Sequence, residues 1–140
     1  MLKKRLVPLD PVILTCGAVL FGTLPLFAGP SFEARSNDKA GVSIEIKPKP
    51  IEPSATVWEF DVTMNTHVKP LTEDLTAVSV LVKDNGERIK PIAWRGDKPG
   101  GHHRKGVLQF PAGSGPSTMF ELQMAGVGGV ELRTFRWELK

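Results

Sequence analysis

Three histidines carry most of the reactive chemistry in this chain: His67, His102 and His103. Imidazole nitrogen binds zinc, copper or nickel, and three imidazoles with a carboxylate would complete a coordination sphere. Glu73, Asp74 and Asp97 stand close to them in sequence, as do Arg95 and Arg104. Met64 and Met119 add thioethers suited to Cu(I). Against a metal centre, His102 and His103 are adjacent, so an extended backbone sends their rings to opposite sides. Met64 shares parity with Trp58, Phe60 and Val62, which is a packing position. The sequence has no His-rich tract, no Met-rich tract and no His-x-x-x-His pair. Two other uses remain. Arg95, Arg104 and an imidazole can hold a ligand carboxylate or phosphate. Alternatively the histidines hydrogen-bond their own loops, with a neutral His103 donating a ring nitrogen to a backbone carbonyl.

Covalent catalysis finds little support. Ser114 lies in the Gly113–Pro116 segment, which lacks the strand–elbow–helix setting of a hydrolase nucleophile. Phosphate loops and dinucleotide fingerprints do not occur. The single cysteine, Cys16, falls in a segment expected to be removed, which leaves no thiolate metal site, nucleophile or disulfide. Thr15 before Cys16, with a dozen apolar positions still to follow, does not fit a lipoprotein signal. The sequence therefore reads as a non-enzyme.

The elements that position these residues are short strands behind an export segment. Met1–Arg5 is basic and Val12–Ala28 is almost uninterruptedly apolar, so residues 1–28 read as a signal peptide or, alternatively, an N-terminal membrane anchor. Either reading places the domain across the membrane, periplasmic or extracellular. Of 140 residues, 18 are Lys or Arg and 15 Asp or Glu. Removing Lys3, Lys4, Arg5 and Asp10 leaves 15 basic and 14 acidic residues, too near neutrality for a nucleic-acid footprint. Residues 29–40 are expected to be a flexible tether and 41–140 the domain.

Alternation of period two begins at Val42, Ile44 and Ile46 and recurs at Trp58–Met64. It recurs again at Val78, Val80 and Val82, and at Leu108 with Phe110 and Phe120–Met124. The three prolines of 48–53 favour an edge or crossover. Asn85-Gly86 predicts a two-residue hairpin loop that pairs Val82 with Ile89, and Pro91 predicts an edge or bulge before Trp94. Val130 and Leu132 differ in parity from Phe135, Trp137 and Leu139, which predicts a bulge near Arg133-Thr134. Thr72 is the expected cap of a single helical turn. The tryptophans read as core rather than stacking platforms. Together these features predict an all-β fold, a seven-stranded immunoglobulin- or fibronectin-III-like sandwich without a deep pocket.

Alternate connections of such a sandwich share a pole. That rule gathers 67–75, 95–105 and 125–129 at one end, with the Asn85-Gly86 and 111–117 loops at the other. The candidate binding pole is His67, Asp74, Arg95, His102, His103 and Arg104. Its leading use is an envelope or extracellular protein partner, or a small ligand. The alternatives are a copper or zinc site of His67, His102 and His103, and a purely structural envelope module. No further cofactor is expected, and membrane contact runs only through the N-terminal segment if it is uncleaved.

The two loops also carry a resemblance. Thr66-His67, Asp74-Leu75, Trp94-Arg95-Gly96 and Gly100-Gly101-His102-His103-Arg104, leading into Gly106-Val107-Leu108-Gln109-Phe110, resemble a family of small uncharacterised exported prokaryotic proteins. The likeness covers about half of the domain and brings no established activity. Members usually show Asp-Thr-His-Ser, where this chain has Asn65 and Val68 at the outer positions.

Overall fold

The computed structural model describes Gly22 and residues 31–139; the signal or anchor segment 1–28 falls, apart from Gly22, outside the described residues. The fold is nearly all β, built from two antiparallel sheets around one core. In chain order the strands are β1 (Arg35–Lys39), β2 (Val42–Pro48), β3 (Val57–Thr66), β4 (Ser79–Lys83) and β5 (Arg88–Ile89). They continue with β6 (Ala93–Gly96), β7 (His103–Pro111), β8 (Met119–Ala125) and β9 (Leu132–Glu138). The first sheet has the order β1-β2-β3-β7-β6 and the second β5-β4-β8-β9. A single helical turn, α1 (Leu75–Val78), precedes β4. Among the described residues no helix is long and apolar enough to cross a membrane.

The period-two segments fill the core. Ile44, Ile46, Phe60, Val62, Met64, Leu108 and Phe110 face inward from one sheet, and Phe120, Leu122 and Met124 meet them from the other. Aromatic rings join the two layers: Phe60 and Trp58 lie edge-on to Phe120 at 6.0 and 5.2 Å. Trp58 and Trp137 are core residues, and Trp94 is partly buried against the core.

Nine strands stand among the described residues where seven were expected, for two reasons. The expected tether contains β1, which pairs along β2 from Arg35↔Ile46 to Lys39↔Val42. Just before β1, Phe32 inserts into the core 5.3 Å from Phe120, and Trp137 Nε1 donates to the Glu33 carbonyl at 2.7 Å. The second reason is Pro91. It divides the run expected from Ile89 to Trp94 into β5 and β6, which join different sheets.

Three local readings of the sequence are corrected. Leu81, not Val82, pairs with Ile89, so Ser79, Leu81 and Lys83 face inward while Val80 and Val82 stay half-buried on the outer face; Val78 ends α1 and packs against the core. The cause is a three-residue loop, Asp84–Gly86, closed by Lys83 N–H on Glu87 O (3.0 Å), with Gly86 at φ 86°. One extra loop residue reverses every side chain of the strand. In β9 there is no bulge: pairing with β8 is continuous from Met119↔Glu138 to Ala125↔Leu132. Arg133, Phe135 and Trp137 face inward, Leu132 is exposed, and Val127 supplies the apolar plug from the preceding turn. Finally, Asp74 rather than Thr72 caps α1, accepting from Thr76 N–H at 2.9 Å.

Candidate functional site

The connections β3–β4, β6–β7 and β8–β9 do meet at one pole, together with the β1–β2 turn. β3 ends at Thr66, whose hydroxyl accepts from the amides of Val68 (3.2 Å) and Lys69 (3.4 Å). This bends residues 67–70 into a tight projection. The base of the projection is bonded to the β6–β7 loop by Thr66 N–H on His102 O, Leu71 N–H on Gly101 O and Gly100 N–H on Leu71 O, all 2.7–2.9 Å. Gly100 and Gly101 take φ of 112° and 71°, which lets the loop backbone turn to meet Leu71. His67 N–H donates to Gly41 O at 3.3 Å, which ties in the β1–β2 turn. At the tip Val68 is 62% exposed, flanked by exposed His67, Lys69 and Pro70.

Beneath this surface lie two buried arginines. Arg104 faces inward from β7 and is 2% exposed. Its Nη1 donates to the carbonyls of Glu73 (2.7 Å) and Leu71 (3.4 Å), and its Nη2 to Asp97 O (3.5 Å). The guanidinium lies 5.5 Å from the centre of the Trp94 ring, and Trp94 Nε1 shares the Asp97 carbonyl. The indole fits there because Gly96 and Gly106 pair directly beneath it; a Cβ on Gly106 would lie 2.7 Å from the indole carbon Cζ2.

Arg133 does the same work from the second sheet. Its Nε donates to Val127 O, Nη1 to Val42 O and to both the carbonyl and Oδ1 of Asn37, and Nη2 to Lys39 O, at 2.8–3.3 Å. Burial pushes both guanidinium groups below the ordinary arginine value, and Glu73 is the main charge opposing that shift. One Glu73 oxygen accepts from Gly128 N–H at 3.0 Å, which fastens the β8–β9 turn as well.

The expected site residues therefore separate. Arg104 and Asp74 are scaffold; Asp74 also accepts from the Thr76 hydroxyl, which holds its carboxyl below the usual aspartate value. Arg95 is not with the loops. It sits on the outer face of the first sheet, where its Nε donates to Gln109 and Gln109 donates to Glu59. That bond from Gln109, with Lys49 3.4 Å away, holds the Glu59 carboxyl low against the opposing effect of burial.

His67, His102 and His103 are all exposed. His103 Nδ1 donates to Asn65 Oδ1 across the β3–β7 pair at 2.5 Å, a side-chain amide rather than the expected backbone carbonyl. Among the described residues no three His, Cys, Asp or Glu side chains are placed to hold a metal ion. His67 rides the projection while His103 occupies the sheet's outer row, so the proposed ligand set is not assembled. Beside His67, a hollow of about 270 Å³ is lined by Asp38, Lys39, Gly41, Ser43 and Asn65.

Arg133 was missed by the sequence reading. The signal for it is its parity with Phe135 and Trp137, which marks an inward position whatever its charge. In comparisons with protein-family models, curated proteins and solved structures, the chain matches none.

Proposed function

We propose that this chain is an exported, non-enzymatic, immunoglobulin-like module that presents its histidine-bearing pole to a protein partner in the cell envelope or outside the cell. The observation that carries the reading is the anchoring of that pole. Three hydrogen bonds from Arg104 end on the β3–β4 and β6–β7 loops, and five from Arg133 tie the β8–β9 turn to β1 and β2 beside their connecting turn. Burying two guanidinium groups costs solvation, and apolar residues would pack the same volume more cheaply. What the arginines give in exchange is fixed loop geometry, and a pre-ordered surface loses little entropy on binding.

The surface so held is convex and mixed in character: apolar at Val68 and Pro70, polar at His67, Lys69 and His102. A projection of that kind suits a protein groove better than a small ligand. Strand order supports the immunoglobulin-like type, since β2-β3-β7-β6 against β4-β8-β9 reproduces the ABED and CFG sheets. The basic start and apolar run of residues 1–28 support export. The resemblance to small exported prokaryotic proteins rests on these same two loops.

The test places a photo-crosslinking residue at Val68 or His102, and as controls at Ser114 or Val82, in the protein expressed in its own cell. Discrete adducts from the first pair alone are expected. No adducts from the pole, or the same adducts from all four positions, would overturn the reading.

A further inference from the structure

The end of the fold opposite the histidines holds a feature that partner recognition leaves unused. A cavity of about 330 Å³ opens there between the sheets, bounded by Ile51, Pro53, Ala55, Trp58, Ala112 and Leu139, although a sandwich of this size was expected to offer none. Its volume lies at the lower end of small-molecule sites. Lys83 lies on the cavity lining, carried inward by the same one-residue register shift that leaves the valines of β4 half-buried on the outer face. Its side chain is 2% exposed, and the ammonium lies 5.0 Å over the Trp58 ring. A lysine this buried is uncommon, and here, among the described residues, its ammonium has only the distant Glu87 carboxylate and the Trp58 ring as partners.

We propose that this cavity binds a small molecule joining an apolar body to a single carboxylate, with Lys83 receiving the carboxylate and Trp58, Ile51 and Leu139 enclosing the body. Glu87 approaches the Lys83 ammonium only to 3.9 Å. Its oxygens are engaged by the Ser114 amide at 3.1 and 3.2 Å and by the Ser114 hydroxyl at 3.4 Å. Asp84 is likewise engaged by Ser117 and Thr118. These two carboxylates hold the β7–β8 connection upright as one wall, so the cavity is shaped before a ligand arrives. Inside apolar walls the charge of Lys83 is weakly screened and attracts an anion strongly. Glu52 is exposed on the lining, and its negative charge opposes a dianion such as phosphate more than a singly charged carboxylate.

The experiment titrates the full chain with octanoate and, separately, with octanol, by calorimetry and by amide NMR shifts. One octanoate per chain is expected, with a Kd below about 1 mM and octanol at least about tenfold weaker. Shifts are expected at Gly113, Ser117 and Leu139 and none at His102. Lys83→Met should weaken octanoate at least about tenfold and leave octanol unchanged. Ala55→Phe, which fills the cavity from its rim, should abolish both and keeps the test open if Lys83→Met fails to fold. Failure of octanoate to saturate would overturn the proposal, as would equal affinity for octanol. Shifts centred on the histidine pole, or a folded Ala55→Phe protein that still binds, would also overturn it.

Discussion

Replacing Arg133 with methionine should remove more stability than any other change at a single charged residue of the histidine pole. The side chain is fully buried and its five hydrogen bonds end on four backbone carbonyls and one side-chain amide. Methionine matches the aliphatic stem but donates nothing. The carbonyls of Val42 and Val127 lie in buried surroundings, and each costs about 1–3 kcal/mol when left unpaired. Those of Asn37 and Lys39 lie nearer the surface and can turn to water. Relief of the guanidinium's own desolvation offsets part of the loss. The sum is about 3–5 kcal/mol, the usual cost of breaking a buried charged network. Against a total of about 5–15 kcal/mol that is a severe change. Urea unfolding followed by far-UV circular dichroism reads it directly. With a slope near 2 kcal/mol/M, the midpoint should fall by about 2 M. Arg133→Lys should recover only part, because one ammonium cannot reach Val127, Val42 and Lys39 together. Arg136→Met, three residues along the strand with a side chain 61% exposed, should cost no more than about 0.5 kcal/mol. A loss below about 1 kcal/mol for Arg133→Met would refute the claim that this arginine anchors the pole.

Three further outcomes follow from the same geometry. Thr66→Val should cost about 1–2 kcal/mol and release the amides of Val68 and Lys69 to faster hydrogen exchange, while the β3–β7 ladder below stays protected. Gly106→Ala would put its Cβ 2.6 Å from the Arg95 carbonyl and the Gly96 Cα as well as 2.7 Å from the Trp94 indole, so it should spread the β6–β7 pair and displace the indole, costing about 1–3 kcal/mol or more and shifting tryptophan fluorescence to the red. Asp84 accepts from Thr118 and Ser117, which hold its carboxyl at about 2 against 3.8 for the free group. A depressed folded value stabilises above pH 3.8 and the benefit disappears as pH falls through about 2, so wild-type stability should decline across that window. Asp84→Asn should flatten the decline in pH-dependent thermal melts.

Much of the fold was legible because apolar alternation survives packing: β2, β3, β7 and β8 lie where Val42, Trp58, Leu108 and Phe120 begin their runs. The meeting of loops at one pole was legible too, since it follows from alternating strand direction. What escaped were positions where a polar residue takes an inward place. Lys83 and Arg133 both sit on core parity; a reading that lets hydrophobic residues choose the buried face puts β4 out by one, and in β9 it inserts a bulge that the strand does not have. The polar sequence of β1 hid it, since its side chains are mostly exposed and its place depends on Phe32 and Arg133. At the site, the sequence put all three histidines on end loops; His67 and His102 lie there, His103 opens β7, and surface could not be separated from scaffold. Arg104 and His103 are neighbours in sequence, yet strand parity buries one and exposes the other.

The most direct measurement for the central claim is the ¹⁵N order parameter of residues 66–71 and 98–103 in the full chain, recorded for the wild type and for Arg104→Met. A pole held rigid by buried arginines should give values near 0.85, as in the strands, falling toward about 0.6 when Arg104 is replaced. Wild-type values already below about 0.6, or an Arg104→Met protein as ordered as the wild type, would contradict it.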